Sequence, residues 1–153
     1  MNNLKNEFNS LIKTLILLKS PYEEQIEYSG NLIPFGEDVV GDFEAFYCLP
    51  KKDFVAEKFL NKEQIKKLDE LDNFLTEKSY NESDDFWTDY SILKSHPDWE
   101  IIRKLARECL GILEKENLYL EIKKETQEEK TENGENIIIE RIKIELTNGQ
   151  LKM

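Results

Sequence analysis

The sequence is poor in the residues that most often carry catalytic or metal-binding chemistry. It has one histidine, His96, two cysteines, Cys48 and Cys109, and six glycines that are scattered along the chain. One histidine and two distant cysteines are a poor ligand set for zinc, and no serine or cysteine lies near His96 in a known nucleophile motif. The scattered glycines form no phosphate-binding loop. We therefore predict no metal site, no cofactor and no enzymatic activity.

Long apolar runs are also missing. The apolar segment at residues 11–20 is interrupted by lysines, whereas a membrane span requires about 20 apolar residues. Residues 20–22, Ser-Pro-Tyr, do not form the small-residue cleavage site of a signal peptide. Both cysteines lie among apolar neighbours, so we interpret them as reduced packing residues. These features predict a cytoplasmic protein with no membrane partner.

Basic residues are absent from two windows that hold the whole excess of negative charge. The formal net charge is −11. The first window, residues 20–50, contains seven acids, and the second window, residues 79–93, contains four acids; neither contains Lys or Arg. The 21 acids outside the windows balance the 21 basic residues. This charge disfavours direct binding to nucleic acid or to an anionic membrane, and it favours a basic protein partner.

Apolar residues at spacings of three and four predict about five helices before residue 118. The predicted helices are Asn2–Lys19, Glu37–Leu49, Asp53–Leu60, Asn61–Ser79 and Ser95–Asn117, with a further helical turn after Ser83 or Asp84. Residues 21–36 are predicted to form an ordered loop that includes a short helical turn.

The last of these helices is predicted to be the centre of the fold. Its apolar stripe is formed by Trp99, Ile102, Ala106, Cys109 and Leu113.

The ends and the polar face of the central helix are also predicted. Ser95 and Asp98 form an expected capping pair at its start, and Asn117 is expected to end it in a left-handed conformation. Arg103, Lys104 and Arg107 lie off the apolar stripe. Asn61 is expected to cap the start of the predicted helix Asn61–Ser79.

After residue 117 the apolar period changes to two, which predicts an antiparallel β-hairpin. A three-residue loop with Gly134 in the left-handed conformation places Ile122 opposite Ile144. Residues 147–149 offer a second turn that returns Leu151 as a third strand. The predicted fold class is α+β: one domain, residues 1–153, with a bundle of about five helices over residues 1–117 and a C-terminal hairpin, residues 118–153, packed on it.

Acids and aromatic residues are interleaved in both windows. Tyr and Trp suit the desolvated centre of a protein interface, and clustered acids accelerate association with a basic partner. The predicted partner-binding residues of the second window are Glu82, Asp84, Asp85, Trp87, Asp89 and Tyr90. Those of the first window are Glu23, Glu24, Glu27, Tyr28, Asp38 and Asp42.

Two segments suggest a family of proteins. With FYCLP at Phe46–Pro50 and FWTDYSILKSHPDWEIIRKLA at Phe86–Ala106, this small acidic chain resembles the immunity proteins of bacterial toxin systems. Many of those proteins neutralise basic nucleases through an acidic face. The resemblance is one of type and assigns no residue a role. It implies a non-catalytic, immunity-type inhibitor that occludes a basic partner such as a toxin domain.

Three other functions remain open. A nucleic-acid mimic that blocks a DNA-binding protein would need carboxylates spaced like phosphates. A small carboxylate-dependent enzyme would need two acids converging in a pocket, at least one of them with a raised pKa. A structural subunit of a larger assembly would expose an apolar patch of several hundred Å².

Overall fold

The computed structural model describes residues 2–29 and 35–148, which form eight α-helices, one π-helical segment and two strands. The helices are α1 (Asn2–Lys19), α2 (Tyr22–Ser29), α3 (Phe35–Phe43), the π-helical segment (Glu44–Cys48), α4 (Lys51–Ala56), α5 (Lys62–Asn81), α6 (Asp85–Thr88), α7 (Tyr90–Ser95) and α8 (Pro97–Ile112). The strands are β1 (Leu118–Lys130) and β2 (Asn136–Asn148). The predicted third strand at Leu151 lies outside the described residues.

Helices α1 and α8 pack against each other at the centre of the molecule. Leu11 and Leu15 of α1 and Trp99 and Ile102 of α8 are fully buried. Helix α5 packs on α8 from another side, with Leu68 among its buried residues. The apolar stripe predicted for the central helix is confirmed, since Trp99, Ile102, Ala106, Cys109 and Leu113 are all buried.

The start of α8 differs from the prediction. Ser95 is the last residue of α7, and His96 is the residue that caps α8. The Nδ1 atom of His96 accepts a hydrogen bond from the backbone N–H of Asp98 at 3.0 Å. Because the residue before a proline is pushed out of the helical region, Pro97 confines the cap to His96. The predicted Ser95–Asp98 capping pair is therefore wrong.

The end of α8 also comes earlier than predicted. The backbone N–H of Lys115 donates to the carbonyl oxygen of Leu110 at 2.9 Å, and that of Glu114 donates to Gly111 at 3.0 Å. Glu114 has a φ of 59°, in the left-handed region. These two bonds form a Schellman motif, which ends the helix before Asn117. The motif has no glycine here, so the sequence carries no signal for it.

The other helices follow the prediction to different degrees. Helix α1 has the predicted bounds. Asn61 caps α5 in a capping box, in which its side chain accepts from the N–H of Gln64 and the Gln64 side chain accepts from the N–H of Asn61, both at 2.9 Å. The predicted helix Glu37–Leu49 begins at Phe35 instead and widens into the π-helical segment.

Arg103 is buried, although it lies off the predicted apolar stripe. Its Nη2 atom donates to the carbonyl oxygen of Leu93 at 2.6 Å and to Oε1 of Gln25 at 3.0 Å, and its Nη1 atom donates to Glu100 at 2.6 Å. The Nε2 atom of Gln25 donates in turn to two carbonyl oxygens at the C-terminal end of α1, at 3.0 and 3.1 Å. This polar cluster joins α1, α2, α7 and α8 inside the core.

The predicted α+β fold class is wrong. The chain is mostly helical, and the described ranges hold eight α-helices where the sequence predicted about five. Within those ranges β1 and β2 pair only with each other. Leu118 and Leu120 at the start of β1 pack on the helical core, whereas residues 128–130 and 132–136 at the other end of the strand pair are exposed. Alternating apolar residues indicate strands, but they do not indicate whether a strand pair covers the helices along its length.

The register of the strand pair places Ile122 opposite Ile144. At the turn, the backbone N–H of Thr131 donates to the carbonyl oxygen of Glu135 at 2.8 Å. Gly134 has a φ of 81°, a conformation that glycine adopts without strain.

Candidate functional site

The second acidic window is anchored to the central helix by aromatic packing. Phe86 is buried and stacks on Trp99 of α8, with ring centroids 5.5 Å apart. The indole Nε1 of Trp99 donates a hydrogen bond to the backbone carbonyl oxygen of Phe86 at 3.1 Å. The neighbouring Trp87 is half-buried and meets Trp99 edge to face at 5.8 Å. These contacts hold α6, which carries Asp84 and Asp85 at its start, in a defined position.

The first window meets the second at Gly36. A Cβ atom at this position would lie 2.6 Å from the carbonyl oxygen of Trp87 and 2.9 Å from a ring carbon of Trp99. Only glycine allows so close an approach of backbone to backbone. Helices α3 and α6 are therefore in direct contact, although more than 40 residues separate Gly36 from Trp87 in the sequence.

Beside this contact lies a groove between α3 with the π-helical segment on one side and α5 with α6 on the other. It consists of two adjoining cavities of about 340 and 380 Å³, which share Val40 and Ser79. The first cavity is also lined by Glu37, Asp84, Trp87 and Thr88. The second is also lined by Phe43, Glu44, Cys48, Asp72, Leu75, Thr76 and Tyr80. We call these residues together the acidic groove.

The acidic groove carries unbalanced negative charge. Its four carboxylates belong to Glu37, Glu44, Asp72 and Asp84, and no Lys or Arg is among the lining residues that the structure describes. None of the four forms an ion pair with a residue in the part of the chain that the structure describes. Two aromatic residues that are not fully buried accompany them, half-buried Trp87 and Tyr80, which is 85% exposed. The groove thus combines charge and apolar surface that are both available to a partner.

The structure separates the predicted residues of the second window. Asp84 and Trp87 line the acidic groove. Asp85 is exposed in the first turn of α6. Asp89 caps α7 by accepting hydrogen bonds from Ser91, and these bonds hold the pKa of Asp89 below its ordinary value.

The two remaining residues predicted in the second window have structural contacts. Tyr90 is half-buried and packs against the core. Glu82 lies 4.0 Å from Lys78. Neither residue lines the acidic groove.

The predicted residues of the first window lie on α2 and α3 and do not line the groove. Glu23, Glu24 and Glu27 are exposed on α2. The side chain of Tyr28 lies outside the described residues. Asp38 is exposed on α3. Asp42 on the same helix is half-buried, and burial together with the charge of Asp38 raises its pKa.

Sequence reasoning missed the other three carboxylates of the groove, those of Glu37, Glu44 and Asp72, and its exposed Tyr80. The spacing of seven between Glu37 and Glu44 places them on one helix face, with Val40 between them, and this signal was present in the sequence. Asp72 carried no such signal, because it lies in a segment where lysines balance the acids.

The cysteine at the groove is not a reactive nucleophile. The Sγ atom of Cys48 donates to Oδ1 of Asp72 at 3.3 Å. Burial and this carboxylate raise the pKa of Cys48 to about 12, so its thiol stays protonated at neutral pH. The neighbouring Tyr47 is buried, and its hydroxyl donates to Asp69 at 2.6 Å. Burial and the Asp69 carboxylate raise the pKa of Tyr47 as well.

One group of side chains has the composition of a metal site. Ligand atoms of Glu82, His96 and Asp98 lie within 4.8 Å of one another. The Nζ atom of Lys78 lies 2.8 Å from Oδ2 of Asp98, and Nδ1 of His96 already accepts the helix-capping hydrogen bond. The ammonium group of Lys78 thus supplies the positive charge that a bound cation would supply, and we assign no metal to this group.

Known proteins provide no assignment for this geometry. A comparison of the chain with protein-family models, with curated proteins and with solved structures finds no match in any of the three. Across residues 2–29 and 35–148, none of the helices combines the length and the apolar character that a membrane crossing requires. The resemblance to immunity proteins stays a prediction from the sequence.

Proposed function

We propose that the protein is a non-catalytic binding protein that uses the acidic groove and the acids beside it to bind a basic protein. In this proposal it acts as an inhibitor of the immunity type and covers a basic active site or nucleic-acid groove of its partner. The observation that supports the proposal is that both acidic windows contribute to one groove, whose four carboxylates have no basic neighbour in its lining.

The pairing of acids elsewhere supports this interpretation. Asp69 lies 2.9 Å from Lys51, Glu108 lies 3.2 Å from Lys67, and Asp98 lies 2.8 Å from Lys78. In the part of the chain that the structure describes, six acids thus lie within 4.0 Å of a basic side chain. Carboxylates that are left together without a cation repel one another and add nothing to folding, but they attract a basic partner over a distance of about 10 Å.

The groove also offers apolar surface for affinity. Trp87 and Val40 are half-buried, so each presents part of its apolar surface to solvent. Aromatic side chains at the centre of an interface contribute much of the binding free energy, while the surrounding charges mainly set the association rate. An acidic groove with an aromatic wall provides both contributions.

The first experiment is to capture the partner from the native host at low salt and to measure its association with the purified protein by stopped flow. We expect a basic partner with defined stoichiometry, whose association rate falls as salt rises. The double substitution Asp84→Lys and Asp85→Lys should lower the association rate by about tenfold or more and flatten its salt dependence. The side chain of Asp84 makes no capping bond, so its replacement removes none.

The matched control is Glu57→Lys with Glu116→Lys, which changes the net charge by the same amount at two exposed acids outside both windows. This control should change the association rate by less than about threefold. Equal effects of the two double substitutions would contradict the proposal. So would an association rate that changes neither with salt nor with the double substitution at Asp84 and Asp85.

A further inference from the structure

The two ends of the acidic groove repeat the same chemistry. At one end, Glu37 and Asp84 lie in the cavity that Trp87 lines. At the other end, Glu44 and Asp72 lie in the cavity that Tyr80 lines. Each end therefore has two carboxylates and at least one aromatic ring that is not fully buried. This combination suits an arginine side chain, whose guanidinium group hydrogen-bonds to carboxylates and lies flat on aromatic rings.

The middle of the groove is different. The two cavities share Val40 and Ser79, and Phe43 and Leu75 also line the second cavity. No carboxylate is common to both cavities. The junction is therefore suited to a small apolar side chain more than to a charged one.

From this arrangement we infer that the groove binds a partner segment in which two basic residues, preferably arginines, flank an apolar residue. This inference rests on the proposed function and deepens it by naming the segment that the groove accepts. The apolar residue contacts Val40, one basic side chain reaches Glu37 and Asp84, and the other reaches Glu44 and Asp72. The charge of the segment complements the four carboxylates that the protein leaves without a cation.

The inference is tested with a peptide probe, acetyl-Arg-Gly-Leu-Gly-Arg-amide, whose glycines allow the arginines to adjust their spacing. The two tryptophans of the protein provide the readout in ¹⁵N NMR spectra. The indole N–H of Trp87 belongs to a groove residue, whereas that of Trp99 is fully buried and bonded to Phe86. We expect a saturable shift of the Trp87 signal, larger than that of Trp99, with a Kd of about 0.1–5 mM.

Two controls test the charge requirement. A peptide with citrulline in place of both arginines has the same shape without the charge, and it should bind at least about fivefold more weakly. The double substitution Glu37→Gln and Glu44→Gln removes one carboxylate from each end of the groove. It should raise the Kd for the arginine peptide by at least about fivefold. The matched variant Glu57→Gln with Glu116→Gln should change the Kd by less than about twofold.

The outcomes separate this inference from the proposed function. Equal binding of the citrulline peptide, equal effects of the two variants, or the absence of a saturable Trp87 shift would overturn the inference. If the peptide does not bind while association of the full partner still depends on Asp84 and Asp85, the proposal of a basic partner is retained. Only the inferred sequence of the bound segment is then wrong. If association of the full partner is indifferent to those acids, the proposed function fails as well.

Discussion

The polar cluster around Arg103 and the acidic groove treat charge in opposite ways. Arg103 is 4% exposed, and its guanidinium group has partners from Gln25, Leu93 and Glu100. The groove holds four carboxylates with no basic side chain in its lining. The fold thus satisfies a charge in its interior and leaves several charges on its surface without a counter-charge. The Arg103 cluster thus joins four helices inside the core, whereas the charges of the groove are the ones that the proposed function assigns to a partner.

The largest expected effect comes from breaking the Arg103 cluster. Arg103→Ala leaves the side-chain oxygen of Gln25 and the carbonyl oxygen of Leu93 without these donors inside the core. We expect the free energy of unfolding to fall by about 3 kcal/mol, as measured by urea denaturation. Arg107→Ala, at an exposed position on the same helix, should change it by less than about 0.5 kcal/mol. Similar effects of the two substitutions would show that the cluster contributes little to stability.

An intermediate effect is expected at the helix contact that forms the groove. Gly36→Ala would place a methyl group 2.6 Å from the carbonyl oxygen of Trp87, so α3 and α6 must move apart. We expect a loss of about 2 kcal/mol in thermal or urea denaturation. Gly41→Ala on the same helix has no atom within 4 Å of the added group and should stabilise the protein by about 0.5 kcal/mol. Equal changes at the two glycines would mean that the contact is not tight.

The smallest effect concerns repulsion among the acids themselves. Burial, and then the charge of Asp38, raise the pKa of Asp42 above its ordinary value of 3.8. The fold therefore favours the neutral carboxyl group of Asp42. The stability that this group contributes is fully present below pH 3.8 and is lost as the pH rises through its raised pKa in the folded protein. Asp42→Asn should slightly raise the melting temperature at pH 7 and leave it unchanged near pH 3.

An NMR titration of the Asp42 carboxyl carbon checks the cause. Its pKa should lie above the ordinary value in the unmodified protein and should fall in the variant Asp38→Asn, because the neighbouring negative charge is removed. A pKa at or below the ordinary value would show that the acids of α3 do not repel each other measurably.

Local patterns in the sequence predicted helices better than they predicted the architecture. The apolar spacing of α1 and the capping box at Asn61 depend on residues close in sequence, and both are confirmed. The cap at His96 and the end of α8 at Glu114 were missed, because a histidine nitrogen and a non-glycine left-handed residue are uncommon in these roles. The burial of Arg103 depends on Gln25, 78 residues away, and no local pattern records that partner.

The sequence indicated some residues of the groove but not the groove itself. The two charge windows were visible in composition, and Asp84 and Trp87 proved to line the groove. Their meeting with α3 depends on the fit of Gly36 against Trp87, which requires the folded backbone. Asp72 joins the groove from α5, where four lysines nearly balance five acids, so the charge composition gave no sign of it.

The π-helical segment Glu44–Cys48 lets the wall of the groove hold one extra residue. The backbone N–H of Leu49 donates to the carbonyl oxygen of Glu44 at 3.0 Å, five residues back, so this turn holds one residue more than an α-turn. Because the wide turn takes up the extra residue, deleting exposed Ala45 would let an α-helix continue and would leave the following residues on nearly the same face. Related chains that keep this groove can therefore have this wall with or without the extra residue, whereas a deletion in the regular part of α3 would rotate the residues after it by about 100°.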